Sequence, residues 1–304
     1  MKGIQMNKRS KRIKHEFNDT LKAILWAGFF AIIIRTFMIE PFHIPSDSMI
    51  PNLFVGDHLF VSKFSYGYSR QSFPFSLPLV KNRIFETEPE IGDVIVFKKI
   101  KGHADNYIKR LIGKPGDKIQ MKNGILHING TPLKREFVEK FYIINLPYKL
   151  RTSNSLTINT INNQVLTVID TKKLYLNGRL LKDDQYTIAY KKGKNFEGEA
   201  IELNKYKQTL PNGKEIEILE ISDSEPADNT QEYIVPEDHF FMMGDNRDMS
   251  EDSRFLNEVG YIHKRDLIGK AKIIFFSHNN SVNLLEFWKY LKPIRYERLL
   301  KKIK

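Results

Sequence analysis

Three clusters hold side chains whose types and spacing permit covalent chemistry. The first is Ile44-Pro45-Ser46-Asp47-Ser48-Met49-Ile50-Pro51, the second Tyr107-Ile108-Lys109-Arg110 followed by Gly113-Lys114-Pro115-Gly116-Asp117, and the third Gly244-Asp245-Asn246-Arg247-Asp248-Met249-Ser250-Glu251-Asp252-Ser253-Arg254. A serine hydroxyl is a weak nucleophile and needs a base. Histidine is the usual base, yet only His43 lies even at the edge of these clusters. A lysine can serve only when uncharged, and burial must lower its ordinary value of about 10.4 by several units. Side chains alternate along a strand, so Tyr107, Lys109 and Leu111 share one face, where apolar neighbours can strip Lys109 of water, and Arg110 points to the other. Taken singly, each cluster also has a bland reading: a turn, a solvated strand and a self-bonded loop.

The elements that must position these groups begin with an apolar run, Ala23 to Ile39, broken only by Arg35 and Thr36 and ending before Pro41. As a helix it spans about 25 Å, slightly short of a hydrocarbon core of about 30 Å, with Arg35 placed to snorkel. No small-x-small cleavage site follows it, so an uncleaved anchor is expected. The net charge of +12 is uneven. Residues 1–22 carry seven basic side chains against Glu16 and Asp19, and residues 285–304 carry seven against Glu286 and Glu297. The first tail places the N-terminus in the cytoplasm and the rest of the chain outside. Both tails suit a lipid bilayer, and the body lacks the basic, aromatic-interleaved stripe of a nucleic-acid binder.

Beyond the anchor the pattern is mostly β. Strands are expected at His58–Val61, Asp93–Phe97, Tyr107–Ile112 and Lys272–Phe276, and hairpins at Asn129-Gly130 and Asn177-Gly178. The reading is an N-terminal transmembrane helix, then a catalytic antiparallel β-domain with a second, inserted peripheral β-domain. The boundaries are 1–22 for the basic cytoplasmic tail, 23–39 for the anchor, 40–120 with 235–284 for the catalytic domain, 121–234 for the insertion and 285–304 for a basic tail. Asp223–Thr230 is expected to be an exposed loop, Trp288–Lys304 a basic amphipathic helix, and Phe73–Leu77 a hydrophobic loop able to touch lipid. There is no cysteine, which removes thiolate chemistry. The scattered histidines form no His-Glu-x-x-His, and no Ser-x-x-Lys occurs, so neither a zinc protease nor a penicillin-binding enzyme is expected.

Together, the anchor, PSDSM, GDVIVF (Gly92–Phe97), YIKR with GKPGD, and GDNRDMSEDSR resemble the bacterial type I signal peptidase family, serine proteases with a Ser/Lys dyad. The motifs follow the family's order and span most of the chain outside residues 121–234. The resemblance implies Ser48 as nucleophile and Lys109 as general base, acting without metal or other cofactor. It implies the Ser46 hydroxyl and Ser48 N–H as oxyanion hole, Ser250 as the hydroxyl orienting the lysine, and Asp245, Asp252 and Arg254 as support. Ile44, Pro45, Met49, Leu59, Val96 and Ile108 would line the pockets for small side chains. The substrates would be the signal peptides of secretory preproteins, cut after small-x-small motifs at the outer face of the bacterial inner membrane. Asp47 stands where many members have Gly, and Met249 where many have Asn. The self-cleaving SOS repressors share such a dyad but carry a DNA-binding domain. Mitochondrial processing peptidases are smaller, and a membrane-tethered binding domain would leave the three clusters unexplained.

Overall fold

The computed structural model describes residues 2–73, 80, 83–99, 105–147, 155–159, 165–169, 173–182, 185–191, 199–278 and 294–304. Helix α1 (Lys2–Phe37) includes one stretch, His15–Phe37, long and apolar enough to cross a membrane and almost wholly unburied by the rest of the chain. At 1.5 Å per residue this stretch is about 35 Å long. The helix therefore starts earlier and ends sooner than the sequence pattern implies. Its N-terminal lysines and arginines are good helix formers. Pro41 forces Glu40 into extended backbone, so Ile39 already belongs to β1 (Ile39–His43).

Strand β1 pairs with β2 (Asp57–Ser62). Strands β3 (Val94–Lys98) and β4 (Asn106–Gly113) form an antiparallel pair. Next come β5 (Lys118–Lys122), β6 (Ile125–Ile128) and β7 (Thr131–Pro132), then the long β8 (Arg135–Pro147). They are followed by β9 (Ser155–Asn159), β10 (Val165–Ile169), β11 (Lys173–Leu176), β12 (Arg179–Leu180) and β13 (Tyr186–Lys191). Strands β14 (Glu199–Thr209), β15 (Glu215–Glu220) and β16 (Tyr233–Ile234) lead back to β17 (His239–Met243), β18 (Ile262–His263), β19 (Leu267–Ser277) and β20 (Lys301–Lys302).

The principal sheet has the order β1-β2-β19-β3-β4-β17-β18, with β20 added on β19. Three smaller sheets have the orders β12-β11-β10-β9, β13-β8-β14-β15 and β16-β5-β6-β7. All pairings are antiparallel except β13 with β8. The expected strands all form, and Asn129-Gly130 and Asn177-Gly178 turn their hairpins with positive φ at both residues. Asn123-Gly124 makes a third such turn, between β5 and β6.

Packing ties these sheets together. Ile112, Phe241 and Met243 of the principal sheet share one apolar cluster with Ile119, Met121 and Leu126 of β5 and β6. Ile50, just after the serine motif, is buried with Phe141, Leu203 and Leu219 of β8, β14 and β15.

The expected amphipathic helix at 288–304 is not what residues 294–304 form. They make a single 3-10 turn, Tyr296–Arg298, and then β20; residues 279–293, like Pro74–Leu77 of the expected lipid loop, lie outside the described residues. The reason is electrostatic. Arg298 reaches the fully buried Asp57 with Nε, 3.0 Å from Oδ1, and with Nη2 on Oδ2, and its Nη2 also donates to the Asn52 carbonyl at 2.9 Å. A buried carboxylate is tolerated only when paired, and a helix here would carry Arg298 away from it.

At the other end of the body, the last turn of α1 is held by the Tyr68 hydroxyl, which donates to the Phe37 carbonyl at 2.7 Å. Arg35 does not simply reach outward. It donates twice to Glu40 Oε1, at 3.0 and 2.8 Å, while Lys63 pairs with Oε2 at 2.8 Å.

Candidate active site

Ser48 sits on a tight turn between β1 and β2. The Ile50 N–H donates to the Asp47 carbonyl at 3.2 Å, and the N–H groups of Asn52 and Leu53 donate to the Met49 carbonyl at 3.0 and 2.8 Å. Met49 and Leu53 are fully buried beneath this turn. The third cluster clamps it from above: the Asn246 N–H donates to the Ser48 carbonyl at 3.1 Å, and Asn246 Nδ2 donates to the Asp47 carbonyl at 3.1 Å.

Lys109 lies on β4, opposite Ile95 of β3. Its Nζ and Ser48 Oγ share a hydrogen bond of 2.6 Å, although 61 positions separate the residues. Lys109 is 3% exposed and Ser48 7%. Burial lowers the Lys109 ammonium from its ordinary value to about 8, against the attraction of Asp252 and Asp245, which work to raise it. The Tyr107 ring lies on the same face, its centroid 5.9 Å from Nζ.

Arg110 faces the opposite way and is equally buried. It makes a two-pronged pair with Asp245, both bonds 2.7 Å, and donates through Nη1 to the carbonyls of Gly92 and Lys304 at 2.7 and 2.8 Å. Asp245 also accepts from Asn52 Nδ2 at 2.8 Å, which links the serine turn to the strand that carries the lysine. Asp252 and Arg254 form a second buried pair, with Nε and Nη2 each 2.9 Å from a carboxylate oxygen. Burial alone would raise Asp252, but the Arg254 charge and hydrogen bonds, with the Gly244 N–H, hold it below the usual range. Arg247 is buried as well, donating to Gln208 Oε1 of β14 at 2.6 Å.

The remaining expected residues fall around this centre. Ser46 is exposed, with its hydroxyl 3.4 Å from that of Ser48. Among the described residues the Ser48 N–H has no hydrogen-bond acceptor. Ser250 is buried, but its hydroxyl has no partner, so the lysine-orienting hydrogen bond implied by the resemblance is not made here. Met249 turns away from the lysine and packs on the Ile50 and Phe141 cluster. Ile44, Met49, Leu59 and Val96 belong to one buried cluster, with Ile108 packed against it, while Pro45 is exposed.

Asn52 acts here with no warning from its local sequence, and although Gly244 and Asn246 fall inside the third cluster, nothing local marks their contacts with the serine turn. An Asn beside Pro or Gly reads as a turn former, and nothing nearby marks its distant partners. Gly244 is required by space: a Cβ there would overlap Ser250 and lie 2.6 Å from the Ser48 carbonyl oxygen. Gly244→Ala is therefore expected to displace the serine turn at a cost of about 1–3 kcal/mol. Chemical denaturation and peptidase assays should show both losses; wild-type values for both would mean the contact relaxes freely.

Fold and site define a class: a β-protein, led by a membrane-length helix, with a buried serine–lysine pair formed between a turn and the middle of a sheet strand. The sequence matches the family described as Signal peptidase, peptidase S26, over residues 17–166 and 164–276, and the chain belongs to that family. Membership makes it a peptidase. Signal peptidase I of Rickettsia typhi is 31% identical over 313 residues, covering 97% of this chain and 96% of that protein. Signal peptidase I of Rickettsia prowazekii is 30% identical over 311 residues, covering 97% and 95%. A solved signal peptidase I from Enterococcus faecalis matches at 18% identity over 60% of this chain and 97% of its own, with a TM-score of 0.26, too low to carry weight.

Proposed function

We propose that this peptidase removes signal peptides from secretory preproteins, anchored in the bacterial plasma membrane by α1, with Ser48 as nucleophile and Lys109 as general base. The observation that carries the reading is the 2.6 Å contact between two buried groups, one of them a lysine lowered to about 8.

Neutral Lys109 takes the proton of Ser48 as Oγ attacks the scissile carbonyl carbon. The oxyanion is stabilised by the Ser48 N–H and the Ser46 hydroxyl. Its collapse breaks the C–N bond, and the Lys109 ammonium gives its proton to the departing amine. Water then loses a proton to Lys109, attacks the acyl-enzyme and frees Ser48. The substrate binds as an added strand. Among the described residues, 106–109 of β4 pair only with β3, because β17 reaches no further than Arg110, and β1 is an open edge of the same sheet. Small side chains before the cut suit walls as filled as those of Ile44, Leu59 and Val96. The basic residues before the anchor favour a cytoplasmic N-terminus, with the β-body on the outer side.

The test is a pH profile on the full chain in detergent with a preprotein substrate. Only the uncharged amine accepts a proton, so kcat/KM is expected to rise tenfold per pH unit below about 8 and to level above it. At pH 7 about one lysine in ten is then neutral. Ser48→Ala, inactive at every pH, sets the baseline. An acid limb centred near an ordinary lysine value, or activity surviving in Ser48→Ala, would overturn the assignment.

A further inference from the structure

We propose that the cavity where the membrane helix meets the β-body binds the phosphate of an anionic phospholipid, held by Lys98, Lys63, Arg35 and the Thr36 hydroxyl. The inference rests on the reading of α1 as a membrane anchor.

The lining of the cavity, about 140 Å³, includes those four residues, Glu40 and Asn106, with Phe42, Phe73 and Ile268 as apolar walls. Its charge is unbalanced. Arg35 and Lys63 share the one carboxylate of Glu40. Lys98 has no ion pair among the described residues. Among the described residues the site therefore holds three cations against one anion, in a recess where a second anion is favoured. Donors are also left over. Thr36 is 5% exposed, and its hydroxyl is buried with no hydrogen-bond partner, a state that buried polar groups rarely keep. The Lys63 ammonium has three donors, of which Glu40 and the Ser72 carbonyl take two.

Position selects the source of the phosphate. The cavity opens at the last turn of a span long enough to cross the hydrocarbon core, which is the headgroup layer. Phe37 and Met38, beside Thr36, are 43% and 53% exposed and offer apolar surface to acyl chains. A soluble anion would gain nothing from that neighbourhood. A phosphodiester carrying two acyl chains satisfies both the orphan donors and the exposed apolar rim.

The experiment uses the full chain in detergent, titrated with phosphatidylglycerol or phosphatidylcholine and read by native mass spectrometry. One phosphatidylglycerol per chain is expected, bound about fivefold or more tighter than phosphatidylcholine. Lys98→Gln and the isosteric Thr36→Val are each expected to weaken it about tenfold or more, the worth of one hydrogen bond to a charged group. Equal affinity for the two lipids, or unchanged affinity in both variants, would overturn the site. Displacement of the lipid by millimolar inorganic phosphate would show a soluble-anion site instead. An increased KM for a soluble peptide in lipid-free detergent on Lys98→Gln would assign the cavity to the peptide groove. Vesicle flotation separates the underlying reading: a full chain that floats with no vesicle of any composition is not anchored, whereas one that floats without lipid selectivity sinks only this inference.

Discussion

Lys109→Met is expected to lower kcat/KM by about 10⁴-fold or more while leaving the melting temperature at or above that of the parent. The two outcomes together separate chemistry from structure. Lys109 is 3% exposed, and among the described residues its hydrogen bonding is confined to Ser48. Its amine contributes no structural pair whose loss would strand a partner, since Asp252 keeps Arg254 and Asp245 keeps Arg110. Burial of a lysine is itself costly, as its lowered value of about 8 records. Methionine fills a similar volume without that cost. Lys109→Arg should be equally inactive for a different reason, because a guanidinium does not give up its proton and cannot act as base. Substantial cleavage by either variant at neutral pH, with a folded protein, would remove the lysine from the reaction.

Asp245→Ala is expected to produce the largest loss of stability among the site variants, about 3–5 kcal/mol, because it leaves a buried charge without its partner. Arg110 and Asp245 are each 1% exposed and meet through two bonds of 2.7 Å. The same carboxylate anchors Asn52 of the serine turn. Its removal thus frees both the strand carrying Lys109 and the turn carrying Ser48, and activity is expected to fall beyond what unfolding explains. For a chain of this size such a loss lowers the melting temperature by roughly 6–20 °C. Lys207→Ala, which breaks an exposed pair with Glu215 at 2.6 Å, should change the melting temperature little and serves as the comparison. Equal stability of the two variants would mean that the Arg110–Asp245 pair is energetically neutral.

The basic stretch at 294–304 shows how far local pattern reaches. Its spacing of lysines and apolar residues fits a helix, and composition cannot reveal Asp57, more than 230 positions away, which captures Arg298 and lays the segment along β19 instead. Strand β4 shows the opposite case. The alternation in Tyr107-Ile108-Lys109-Arg110 is local, so the faces of Lys109 and Arg110 follow from it directly and agree with the structure.

What the amino-acid sequence determined by itself was whatever depends on neighbours a few residues apart: the apolar helix, the β-strands, the Asn-Gly turns, the opposite faces of β4 and the ordered motifs that mark the family. Tertiary structure decided which distant groups meet: the 2.6 Å approach of Lys109 to Ser48, the Asn52 and Asn246 ties, the unpartnered Ser250 and the Arg110–Asp245 clamp. The reason is dielectric as much as geometric. A lysine becomes a base only when folding removes water from around it, and that removal is a property of the packed sheet, of which the four residues Tyr-Ile-Lys-Arg are only a short segment.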